Sequence, residues 1–132
     1  KRPDESKKAF TKDGYFRTGD YATINAKGYV KILDRKKDMI LVSGFNVFPN
    51  EIEAILMLHP DIVEAAAIAM PYPSSGEAVK VFIVKRTDSL TEETVNTYCR
   101  KQLTAYKCPK EIVFMDELPK SNVGKVLRKN LR

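Results

Sequence analysis

Two apolar, β-branched segments, residues 62–70 and 79–85, flank the turn-rich stretch Pro71-Tyr72-Pro73-Ser74-Ser75-Gly76, and they constrain the possible folds more than any other feature. Runs of this length bounded by Pro, Ser and Gly read as strands. So short a connection lets them pair as neighbours in one sheet. Gly28 opens Tyr29-Val30-Lys31-Ile32-Leu33, a further strand, and the charged run Asp34-Arg35-Lys36-Lys37-Asp38 interrupts the apolar pattern. Residues 39–42 resume it as a buried strand that Ser43-Gly44 ends. Ile52, Ile55, Leu56 and His59 fall at helical spacing, with Asn50 as the expected N-cap and Pro60 as the stop. A second helix is expected from Thr91 as N-cap, with Glu92 and Glu93 in its first turn and Val95, Tyr98, Cys99 and Leu103 facing inward. Residues 112–115 predict a last strand, and 124–131 a final basic helical turn or two. Residues up to about 12 read as a loose polar lead-in. These elements describe an α+β fold, a small two-layer sandwich with a mixed sheet and about three helices.

The chain has 132 residues, 43% hydrophobic and 30% charged, enough for one core and unlike a disordered or collagen-like polymer. Cys99 and Cys108 form no CxxC pair, and His59 is the only histidine, so zinc-finger spacing and a disulfide framework both fail. A reducing compartment follows. The apolar run 62–70 is too short to span a bilayer and contains Glu64, and the leading KRPDESKK lacks a signal-peptide core, so a cytoplasmic location is expected. The net charge is +6, and residues 120–132 hold Lys120, Lys125, Arg128, Lys129 and Arg132 without an acid, so five of the six charges lie there. That basic end suits a solvated helix, a nucleic-acid contact or a surface for a phosphorylated small molecule.

Generic catalytic constellations are mostly missing. His59 has no orienting partner in sequence and sits near the apolar stripe of the first helix, which favours a structural role. Cys99 reads as core, and Cys108 beside Pro109 has no evident activator. Gly124-Lys125-Val126 resembles the end of a P-loop but lacks the upstream glycine and the following Ser/Thr.

Three polar segments in apolar surroundings are more specific: Tyr15-Phe16-Arg17-Thr18-Gly19-Asp20, then residues 34–38 with Val42-Ser43-Gly44-Phe45-Asn46, and finally Leu118-Pro119-Lys120-Ser121-Asn122-Val123-Gly124-Lys125. Together, and in this order, they resemble the closing motifs of the adenylate-forming superfamily. Within it, DRKKDMILVSGFNVFPNEIE and LPKSNVGKVLR look closest to the bacterial long-chain fatty acid–CoA ligases. The resemblance covers residues 13–132. It implies a C-terminal lid (37–132) preceded by a short β-rich end of a large AMP-binding domain (1–36). The rest of that domain, with its phosphate loop and carboxylate pocket, would be the partner within the same chain. A fragment of this kind is expected to be inactive alone, with residues before Lys37 more mobile than the rest.

By the same resemblance, Asp20 accepts hydrogen bonds from the ribose hydroxyls of ATP, a task suited to an acceptor-only carboxylate. The bland alternative is a Gly-Asp turn. Arg35 is implied as a second ribose contact, against an ion pair with Asp34 or Asp38. Lys37 takes the hinge position. Lys125 matches the lysine that bridges substrate carboxylate and nucleotide, against a merely solvated basic tail. Gly44 would border the CoA tunnel, against a strand-end turn, and Lys36, Lys107 and Arg128 are candidate contacts for CoA phosphates.

The implied activity is ATP-dependent ligation of a fatty acid to CoA through acyl-AMP, with Mg²⁺ accompanying the triphosphate and held mainly outside this chain. Other adenylate-forming chemistry is the near alternative, since chain-length selection lies elsewhere: a short-chain or aryl acyl-CoA synthetase, or a fatty acyl-AMP ligase. A basic nucleic-acid-binding module is the distant one, and few aromatics interleave with the tail cations to support it. Peripheral association with the inner membrane face stays open.

Overall fold

The computed structural model describes residues 2–132. By its internal contacts the chain divides into two compact units, Lys1–Lys37 and Asp38–Arg132.

The first unit begins with a helix, α1 (Pro3–Ala9), where a loose lead-in was expected. Pro3 opens it, with Asp4 and Glu5 in the first turn and Lys7 and Lys8 in the last, a charge order that suits the helix dipole, although none of its residues is buried. Strands β1 (Asp20–Ile24) and β2 (Val30–Arg35) form an antiparallel ribbon with an irregularity between Tyr21 and Ala22. Asn25 closes its turn, its Oδ1 accepting the N–H groups of Lys27 and Tyr29 at 2.9 and 3.0 Å. Strand β1 has no counterpart among the expected elements. Phe10, Tyr15, Phe16, Ile24, Tyr29, Val30 and Ile32 are all at least half exposed, and neither hydrophobic cluster of the protein includes a residue of this unit.

The second unit is built on the strand pair anticipated from sequence. Strands β5 (Ile62–Tyr72) and β6 (Gly76–Lys85) pair antiparallel from Ile62↔Lys85 to Tyr72↔Gly76, extending further into the turn than the apolar runs indicate. The opposite edge of β6 is shared. Strand β3 (Ile40–Val42) meets it at Gly76, and β7 (Glu111–Met115) runs parallel to it from Lys80 to Val84. Strand β4 (Phe45–Val47), also not anticipated, forms a hairpin with β3.

Alternation along the pair separates two cores. Val79, Val81 and Ile83 with Ala67 face one cluster, completed by Ile52 and Leu56 of α2 (Pro49–Met57) and Val95 and Cys99 of α3 (Glu92–Gln102). Each buried Val, Ile or Leu among them contributes about 1.5–3 kcal/mol by leaving water. Ala66, Ile68 and Phe82 face the other cluster, which Leu118 and Leu131 cap. The sheet is mixed and the α+β architecture is the one expected, with the second sheet face covered by the irregular C-terminal segment. Its last element is a single basic 3₁₀ turn, Arg128–Asn130, within the span expected to hold a final helical turn or two, while 120–126 form a hairpin instead.

Helix starts divide the sequence signals. Thr91 caps α3 as expected, its Oγ1 accepting the Thr94 N–H at 3.2 Å. Asn50 does not cap α2: Phe48 holds that position, and Pro49 supplies the first helical residue.

Candidate functional site

In the first unit, Gly19 adopts a φ of +78°, Thr18 Oγ1 accepts the Asp20 N–H at 3.2 Å, and the Gly19 carbonyl accepts the Lys36 N–H at 2.7 Å. This turn delivers Asp20 as the first residue of β1, directly opposite Arg35, the last of β2. Cross-strand partners stand on one face of a ribbon. An acceptor-only carboxylate and a planar five-donor guanidinium are thus presented side by side at one end of the hairpin, a pair suited to vicinal hydroxyls. Asp38, one of the two carboxylates that sequence offers as a partner for Arg35, is instead taken by Arg128 and Arg132 at 3.5 and 2.6 Å. Lys36 and Lys37 lie exposed in a 3₁₀ turn, Lys36–Asp38, and the division between the units follows Lys37.

In the second unit, Ser43 and Gly44 form the two-residue connection of the β3–β4 hairpin, with φ of +50° and +85°. Positive φ at both positions is what such tight hairpins require. A Cβ at Gly44 would meet nothing within 4 Å, so the backbone alone accounts for this glycine and no passing ligand is needed to explain it. Beside the turn, Phe45 stacks on Tyr106 at 4.7 Å between centroids.

Lys125 is carried on a second small hairpin. Lys120 pairs with Val126, Ser121 N–H donates to the Lys125 carbonyl at 2.8 Å, and Leu127 N–H to the Pro119 carbonyl at 2.8 Å. Gly124, with φ of +80°, makes the turn and donates its N–H to the Ser121 carbonyl at 2.9 Å. Ionic contacts grip both legs. Lys120 binds Glu64 of β5. Arg128 binds both oxygens of Glu53 of α2 at 2.8 and 2.9 Å, with Asn50 at 3.2 Å. Lys125, beyond these grips, is exposed, and no ion pair engages its ammonium among the described residues.

Three of the five tail cations are therefore spent on acids of the body. Arg128 and Lys107, candidates for CoA phosphates on sequence, are committed to carboxylates, Lys107 to Glu51 at 2.8 Å. The residues that sequence reasoning missed are those acids. Glu53 looks like an ordinary helix-surface residue, yet its Oε1 also accepts the Ala67 N–H at 3.0 Å and ties α2 to β5. Asp38 stood in view within the charged run, but its burial, at 7% exposure, depends on arginines 90 and more residues away.

The remaining reactive groups are structural. His59 Nδ1 accepts the Asp61 N–H at 3.1 Å, and its ring packs edge-on against Tyr98. Burial pushes the Cys99 thiol up to about 11, and the Cys108 thiol is raised by its own burial, so neither is a nucleophile at neutral pH. Among the described residues no three His, Cys, Asp or Glu side chains gather as a metal site.

Residues 51–125 match the family described as the AMP-binding enzyme C-terminal domain. The chain is 59% identical over 131 residues to the long-chain-fatty-acid–CoA ligase of Escherichia coli O6:H1, covering 99% of this chain and 23% of that protein. It thus spans about a quarter of the length of the curated relatives it matches. Among solved structures it resembles ATP-bound MatB from Rhodopseudomonas palustris, with a TM-score of 0.92 and 39% identity over 98% of this chain and 26% of the other. It also resembles a Mycobacterium tuberculosis fatty acyl CoA synthetase, with a TM-score of 0.76 and 38% identity over 99% of this chain and 26% of the other. A mixed five-stranded sheet under two helices, an exposed lysine on a C-terminal hairpin and a family match over more than half the residues agree: the chain belongs to the AMP-binding enzyme C-terminal domain family.

Proposed function

We propose that this chain is the lid, with the adjoining end of the large domain, of an ATP-dependent long-chain fatty acid–CoA ligase. The observation that carries the reading is Lys125, an ammonium with no ion pair among the described residues, on an exposed hairpin in a chain 59% identical to such a ligase. In the first half-reaction a fatty carboxylate attacks the α-phosphorus of ATP and pyrophosphate leaves. An anion approaches a polyanion, and a fixed cation relieves the repulsion as charge builds on the transferring group. Lys125 supplies that cation, while Asp20 and Arg35 hold the ribose hydroxyls. In the second half-reaction the CoA thiol attacks acyl-AMP and releases AMP, after Lys37 has let the lid turn so that the Gly44 hairpin lines the thiol's approach. Mg²⁺ would travel with the triphosphate and be held mainly outside this chain.

The nucleic-acid reading loses its footing in the tail itself, where Lys120, Arg128 and Arg132 already face carboxylates. The full-length ligase would work in the cytoplasm.

The test is carboxylate-dependent ATP–pyrophosphate exchange by the full-length protein over a series of fatty acids. Lys125→Ala is expected to lower exchange about 10²–10³-fold, the cost of one oriented donor of transition-state charge, while preformed acyl-AMP is still converted to thioester. Normal exchange by the variant, or no exchange with any fatty acid, refutes the reading.

A further inference from the structure

Lys125 can act only if its hairpin holds still, and the bonds within the hairpin do not tie it to the body: Lys120 with Glu64 grips one leg, and the more shielded Arg128 grips the other. The loop is short, its tip residue Val123 is 80% exposed, and its internal bonds are three backbone hydrogen bonds and one long Lys125 N–H to Ser121 Oγ contact at 3.3 Å. What fixes it to the body lies at its base. Arg128, three residues beyond Lys125, donates through Nε and Nη2 to Glu53 at 3.2, 2.8 and 2.9 Å and through Nη1 to Asp38 at 3.5 Å. All three side chains are less than one-fifth exposed, so the contacts are shielded and geometrically defined, unlike ordinary surface pairs. Asp38 follows Lys37 directly, and Arg132 closes on its other oxygen.

We infer that Arg128 is a positioning residue for the adenylation step. Held by Glu53 and Asp38, it fixes the direction of the Lys125 hairpin and ties it to the segment that follows the hinge. The inference rests on the role given to Lys125 above. Arg128 touches no substrate; it acts through Lys125. Its influence is therefore confined to the half-reaction that uses Lys125 and is absent from the one in which another face of the lid lines the site.

The experiment uses the full-length protein and measures the two half-reactions separately: ATP–pyrophosphate exchange, and thioester formation from preformed acyl-AMP and CoA. Arg128→Gln is expected to lower the kcat of exchange roughly 10–100-fold with KM for ATP little changed, because misplacing a catalytic group by an ångström costs on that order. Thioester formation stays within about twofold, which also reports that the variant is folded; the order follows from the restricted role of Lys125. Arg128→Lys, which keeps the charge and loses the fork, falls between. In a Lys125→Ala background, Arg128→Gln adds no further loss of exchange, the non-additivity expected of residues acting as one unit. Equal loss of both half-reactions, or losses that multiply in the double variant, overturns the inference. Loss of exchange in Lys125→Ala with normal exchange in Arg128→Gln overturns it alone. Normal exchange in Lys125→Ala overturns the functional reading, and this inference with it.

Discussion

Lys125 and Cys99 show how differently the surroundings of two reactive side chains can act on them. Lys125 has no ion pair among the described residues, whereas Lys120, Arg128 and Arg132 each face a carboxylate and the hairpin backbone bonds to itself. Its motif was legible in sequence, as were Asp20, Arg35 and Gly44. The acids that hold Arg128 were not, because Glu53 and Asp38 lie 75 and 90 residues from it and no local spacing links them. Cys99 is the opposite case, fully buried beside Tyr98, with burial holding its thiol up to about 11 against an ordinary 9.0. The unfolded chain gives up that proton first, near pH 9. This contribution to stability is therefore complete below about pH 9 and falls as pH climbs toward 11. Urea midpoints of the intact chain should drop more steeply between about pH 9 and 10.5 than those of Cys99→Ala; parallel slopes would contradict the assignment. The absolute stabilities differ for another reason, since the substitution also removes packing.

At the scale of elements, turns explain most of the differences between expectation and structure. Strands β1 and β4 are short and carry no continuous apolar run, so periodicity passes over them, whereas their turns fix them: Asn25 through its side chain, and Ser43-Gly44 through two positive φ angles. Gly44 has open space where a Cβ would go, so its replacement tests backbone conformation without a clash. Gly44→Ala should destabilise the protein by roughly 1–2 kcal/mol, the cost of a left-handed conformation in an L-residue with a Cβ. An unchanged urea midpoint would mean that the hairpin relaxes into another turn. Helix α2 carries the parallel lesson. Asn50 has the chemistry of a cap, yet Pro49 has the φ of a first helical residue, and the helix starts two residues earlier than the capping pattern suggests.

Over the whole molecule the apolar residues are unevenly spent. The second unit buries Ile, Val and Leu on both faces of its sheet, while the first exposes seven large apolar side chains around a two-stranded ribbon. Stability should follow the same division. In this chain, backbone amides of β1 and β2 are expected to exchange with solvent well before those of β5 and β6; equal protection would show that the ribbon has a stability of its own. The sequence by itself determined the β5–β6 pair, the two amphipathic helices, the capped start of α3 and the Lys125 motif. Each of these is written in local periodicity, local turn chemistry or a contiguous string of residues. Only the tertiary structure decided how the edge of β6 is shared between β3 and β7, which sheet face the C-terminal segment covers, and which carboxylates consume the basic tail. Those outcomes depend on groups that meet across dozens of residues, and their energies come from burial and charge pairing that exist only once the chain has closed on itself.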